Sequence, residues 1–106
     1  MKVKFKNGET KNCTTPTEQK LFRDGVAAGW LLSFSIKEGD ITSDSLDSIL
    51  TPENVSSLIF INTDENSEDK ELCTLIGYSK ITSAVIRHGV NSSDIRADIQ
   101  IVKSLS

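Results

Sequence analysis

One histidine, two cysteines, two prolines and no apolar run near the ~20 residues of a membrane span leave this 106-residue chain few handles for chemistry. Neither Cys13 nor Cys73 belongs to a C-x-x-C pair, and no histidine lies at ligand spacing from either, so the pattern holds no zinc or redox motif and no metal is expected. No charged-then-apolar leader opens the sequence, which predicts a soluble cytoplasmic protein with reduced thiols and bare N-x-S/T sequons in "NCT", "NVS" and "NSS". A basic surplus is missing too. The formal charge is −3 with both signs dispersed, which argues against sequence-independent nucleic-acid binding. Glycine-rich phosphate cradles are absent. "GVAAGW" has neither G-x-G-x-x-G nor a Lys-Ser/Thr partner, so it reads as a flexible connector and no cofactor is expected.

What remains is ordinary globular material. The apolar share is 37% and the charged share 25%, enough for one core in a single domain, residues 1–106. In "MKVKFK", Lys2, Lys4 and Lys6 alternate with Met1, Val3 and Phe5, placing the lysines on one solvated strand face that discourages edge pairing. Asn7-Gly8 between two such runs predicts a type I′ hairpin joining Met1–Lys6 to Glu9–Thr14. In "TPTEQKLFRDG", Thr15 as cap, Pro16 at the first helical position, Glu18 and a stop at Gly25 predict a short helix from Pro16 to Arg23, or else an irregular excursion.

Alternation resumes in "WLLSFSIK", where Leu32, Phe34 and Ile36 face one way and Ser33, Ser35 and Lys37 the other. "TSDSLDSIL" predicts an amphipathic helix, with Ser43 as cap, Asp44 and Asp47 in the first turn, and Leu46, Ile49 and Leu50 on one side. Thr51-Pro52 ends it. "VSSLIFIN" reads as a strand and "TDENSEDKE" as a loop between antiparallel strands. Gly77 marks a bulge or corner within "ELCTLIGYSKITSAVIRHG". In the last run Ile95, Ala97, Ile99 and Ile101 oppose Arg96, Asp98 and Gln100. The fold class is mainly β (α+β): an antiparallel β-sandwich or partly open barrel of six or seven strands with one or two short helices.

His88 closes a strand beside Arg87. Asp94 or Asp98 could orient it and Ser83 or Ser92 could serve as nucleophile, yet no G-x-S-x-G elbow places a serine, so no catalytic residue is assigned. The Asp64, Asn66, Glu68 alternation suggests calcium, but Asp69 stands where an EF-hand requires glycine and Leu75 where it requires glutamate. Trp30 and Tyr78 are the large amphipathic aromatics, either able to anchor a partner, and Trp30 equally able to cover one end of a core. With Arg87, His88 and Arg96 they form the candidate interaction surface.

The order "KFKNGE", "TEQK", "WLLSFSI", "TSDSLDSIL" and "IGYSKITSAVIRHG…ADIQIVKS" resembles small proteins encoded by phages and prophages of Gram-positive bacteria, of the tail- or baseplate-associated type. That resemblance implies a noncatalytic β-rich module that works by protein–protein contacts, with itself or with other phage proteins, in the host cytoplasm or the virion. It implies no nucleic-acid or membrane partner. The alternative is a small accessory factor that blocks a host defence component or sequesters a small ligand.

Overall fold

The computed structural model describes residues 1–39, 41–63, 70–90 and 94–105. The order is β1 (Lys2–Lys4), β2 (Thr10–Asn12), β3 (Thr17–Arg23), β4 (Val26–Ile36), α1 (Ser43–Ile49), α2 (Pro52–Val55), β5 (Ser57–Asn62), β6 (Lys70–Ile76), β7 (Lys80–His88) and β8 (Ile95–Ser104). All strand pairings are antiparallel. They build two four-stranded sheets, β2-β1-β5-β6 and β3-β4-β8-β7, that are not closed into a barrel.

Period-two alternation explains the layering. Val3, Leu58 and Phe60 of the first sheet and Leu32, Phe34, Ile36, Ala97, Ile99 and Ile101 of the second are buried in one shared cluster. Phe34 meets Phe60 edge to face at 5.3 Å between ring centroids, which joins the two layers. Leu46, Ile49 and Val55 of the helices add to the same core. The cap of α1 is Thr42, one residue before the expected Ser43: Thr42 Oγ1 accepts from Ser45 N–H, and Ser45 Oγ accepts from Thr42 N–H.

The chain passes between the sheets through α1 and α2 and, more tightly, at two corners. At the first, Cys13 N–H donates to Met1 O while Thr14 N–H donates to Ser35 O, so consecutive residues bond to different sheets. At the second, Gly77 N–H donates to Ser56 O and Ser79 N–H to Val102 O, on either side of Tyr78. Gly77 is therefore a corner, as its position suggested. Such crossings are how sandwich corners are made.

Four expectations are corrected. The segment from Pro16 to Arg23 is neither helix nor irregular but strand β3, which raises the count to eight strands among the described residues. Asp24 (φ 52°) and Gly25 (φ 79°) both have positive φ between the paired residues Arg23 and Val26, the signature of a two-residue type I′ turn. "GVAAG" is not a connector. Val26 to Gly29 open β4, and a Cβ on Gly29 would stand 2.2 Å from the Lys103 carbonyl oxygen of β8.

The Asn7-Gly8 hairpin forms, but with a three-residue turn. Phe5 N–H donates to Glu9 O, Gly8 N–H donates to Phe5 O, and of the pair only Gly8 has positive φ. The cause is buried Asn54, whose Oδ1 accepts from Asn7 N–H and whose carbonyl accepts from Lys6 N–H. Finally, Thr51-Pro52 ends α1 but also starts α2: Thr51 Oγ1 accepts from Asn54 N–H, and proline occupies the first turn. The calcium reading of Asp64, Asn66 and Glu68 falls outside the described residues.

Candidate functional site

Strands β7 and β8 are in register so that Arg87 stands directly opposite Arg96, and Val85 opposite Asp98. Like charges facing each other across a ladder repel. Asp98 relieves that repulsion. Its Oδ2 accepts from Arg87 Nε at 2.7 Å, and Arg96 Nε lies 3.3 Å from its Oδ1. Ser35 of β4 donates its hydroxyl to Oδ1 at 2.6 Å. The Ser35 hydrogen bond is the main cause that holds the Asp98 carboxyl below the usual carboxylate range; burial opposes it, and the Arg87 hydrogen bond and the charges of Arg96 and Arg87 add to it.

Arg87 and Arg96, though not Ser35 or Asp98, border a cleft of about 580 Å³ at the ends of β4, β7 and β8. Lys37 and Glu38 follow β4, Arg87 and His88 end β7, and Asp94 to Arg96 lead into β8. Glu38 is already engaged, accepting from Asn12 N–H and lying 3.3 Å from Lys11 Nζ. A second, shallower groove runs over the outer face of the same sheet. Thr17 and Ser33 stand opposite each other there, Gln100 stands opposite both Ser33 and Ser83, and Arg87 and Asp98 lie at the groove's end.

The cleft gathers three of the five candidate surface residues: Arg87, His88 and Arg96. The other two lie elsewhere. Trp30 is half-buried, with Lys20 Nζ 5.3 Å from its ring centroid. Tyr78 is a correction. It is 0% exposed, part of the core, and cannot belong to an exposed contact surface. The corner at Gly77 turns it inward, where its hydroxyl donates to Glu18 Oε2 at 2.6 Å and Lys103 Nζ sits 5.0 Å from its ring. Burial, then the Glu18 hydrogen bond, push the phenol's pKa up.

Strand parity separates the groups of the imagined histidine site. His88 pairs with Ile95, whereas Ser83 and Asp98 point to the opposite, outer face. Asp98 therefore serves the arginines rather than the imidazole. Asp94 shares the cleft with His88, and Ser92 lies outside the described residues. Among the described residues, no three histidine, cysteine or acidic side chains are grouped to hold a metal ion. No described helix is long and apolar enough to cross a membrane.

A further surface was not anticipated. β8 pairs with β4 only as far as Gly29–Ser104, so the β3–β4 hairpin runs on beyond the four-stranded part of its sheet. On this outlying end, and on the chain just after β8, Phe22 is 65% exposed, Val26 68% and Leu105 51%. Asp24-Gly25 was the available sequence signal, because a hairpin reading would have placed Phe22 and Val26 at an uncovered tip. No protein-family model, no curated protein and no solved structure matches the chain.

Proposed function

We propose that this protein is a noncatalytic phage or prophage component, of the virion or its tail, that works by assembling with copies of itself through the β3–β4 hairpin. The observation that carries the reading is the exposure of apolar side chains at the hairpin's outlying end: Phe22 on one face, Val26 on the other, and Leu105 just after β8. Exposed apolar residues also occur singly elsewhere, at Leu72 and Ile76 on β6 and at Val85 on β7, but those at the hairpin's end lie where the sheet leaves its neighbours, which suits a contact between subunits.

The free edge of β3 fits the same role. The other long edge strands are interrupted by irregularities, at Leu72 between the paired residues Glu71 and Cys73 on β6 and at Thr82 between Ile81 and Ser83 on β7. Such bulges blunt edge pairing. In the β3–β4 pair the extra residue is Ala28 on β4, which leaves β3 regular from Thr17 to Arg23. An antiparallel pairing of two β3 strands about a twofold axis at Gln19 sets Glu18 of each copy opposite Lys20 of the other. Opposite charges on facing positions favour that register. It would join two sheets into one continuous sheet and set Phe22 of each copy opposite Pro16 of the other.

Light scattering across a concentration series tests the proposal. The wild-type chain should form a defined oligomer, and Phe22→Asp should shift it to monomer with an unchanged circular dichroism spectrum. A wild-type chain that stays monomeric throughout would overturn self-assembly. The phage assignment has its own test in gene neighbourhood: tail genes on both sides support it, and genes for inhibitors of host defence favour the accessory-factor reading instead.

A further inference from the structure

A carboxylate that binds two arginines only through their Nε atoms leaves the outer edge of each guanidinium unused. Asp98 does this to both Arg87 and Arg96, contacting Nε in each case. Among the described residues, no hydrogen bond occupies the terminal nitrogens of either side chain. The carboxylate is itself fixed by Ser35, so it acts as a strut that sets the direction of both forks.

The surroundings add to this. Lys37 lines the same cleft and has no ion-pair partner among the described residues. Among the described residues, Asp98 is paired with both arginines and Glu38 with Lys11, and Asp94 lines the cleft beside them. Gly39 and Gly89 give walls without side chains, and Ile95 supplies an apolar surface. A volume of about 580 Å³ lies within the range of small-molecule sites.

We propose that this cleft binds a small phosphorylated compound, its phosphate held by the free edges of Arg87 and Arg96 with Lys37 as a third positive group. Forked guanidinium–phosphate contacts account for the choice of arginine at both positions, because they are bidentate and directional where lysine offers a point charge. The proposal is independent of hairpin-mediated assembly, since the cleft lies at the opposite end of β4 from Val26.

The test is a nuclear magnetic resonance titration of the full chain with inorganic phosphate and, separately, with adenosine monophosphate, at constant ionic strength. Inorganic phosphate should move the Arg87 and Arg96 side-chain Nε–H signals and the amides of residues 37–39, 87–89 and 94–96, with a Kd on the order of 1 mM. The nucleotide should bind more tightly, its body filling the cleft, and equal affinity for the two would overturn the assignment of a small phosphorylated compound. Arg96→Gln should weaken phosphate by about tenfold to a hundredfold, the loss expected for a charge-assisted hydrogen bond. Lys4→Gln, which removes one positive charge from the other sheet, should leave it unchanged. Absence of shifts at the cleft, equal shifts with added chloride, or equal weakening by Lys4→Gln would each overturn the site.

Discussion

Replacing Asp98 with asparagine removes one charge from a point where three side chains converge, and the structure sets the size of the effect. The Asp98 side chain is about one-third exposed and the two arginines more than half, so each ion pair is screened and contributes about 0–1 kcal/mol. The Ser35 hydrogen bond, being charge-assisted but partly wet, contributes about 1.5 kcal/mol, of which an amide acceptor retains a share. Arg87 and Arg96 then face each other without the carboxylate between them. The expected loss near neutral pH is about 1–2 kcal/mol, or roughly 4–8 °C of Tm for each kcal/mol in a domain of this size.

The pH dependence distinguishes this cause from general damage. The folded-state pKa of Asp98 is lowered, so its stabilisation is complete above the unfolded value of about 4 and is lost as pH falls through the lower folded value. Thermal unfolding followed by circular dichroism should therefore show a constant gap between wild type and Asp98→Asn from about pH 7 to pH 5, closing progressively below about pH 4. Added salt should narrow the gap near neutrality. A gap that persists unchanged in acid, or no gap near pH 7, would refute the reasoning.

Two further outcomes follow from the packing. Gly29→Ala should destabilise the fold by about 2–3 kcal/mol in urea, because the new Cβ meets Lys103 backbone rather than a movable side chain, whereas Gly39→Ala, with open space around it, should be near neutral. Equal stabilities would show that β4 and β8 are not so closely apposed. Burial pushes the Cys13 thiol up to about 11, so near pH 8 iodoacetamide should label it only after unfolding. Rapid labelling of Cys13 in the native protein would contradict the sheet crossing drawn there.

Strands β4 and β8 and helix α1 were legible because each buries one face, and burial of one face writes a period into the sequence. β3 was not legible for the opposite reason. It is an edge strand exposed along nearly its whole length, so no apolar alternation marks it, and Thr15-Pro16 with Glu18 imitates a helix start. The Asp24-Gly25 turn outweighs that local preference by folding β3 onto β4. The cleft was half visible. Arg87 and His88 are adjacent, and Arg96 stands opposite Arg87 on the next strand. The part played by Asp98 depends on the β7–β8 register, which the irregularity at Thr82 shifts by one residue. The burial of Tyr78 rests on a hydrogen bond to Glu18, which spans most of the chain and leaves no local signature.

Amide hydrogen exchange of the wild-type chain at low and high concentration tests the central claim, that the β3–β4 hairpin is the contact surface, most directly. Assembly through β3 predicts added protection in Thr17 to Arg23 and at the hairpin end as concentration rises, with the edges β6 and β7 unchanged. Protection that is independent of concentration in β3, or that rises at β6 or β7 instead, would contradict it.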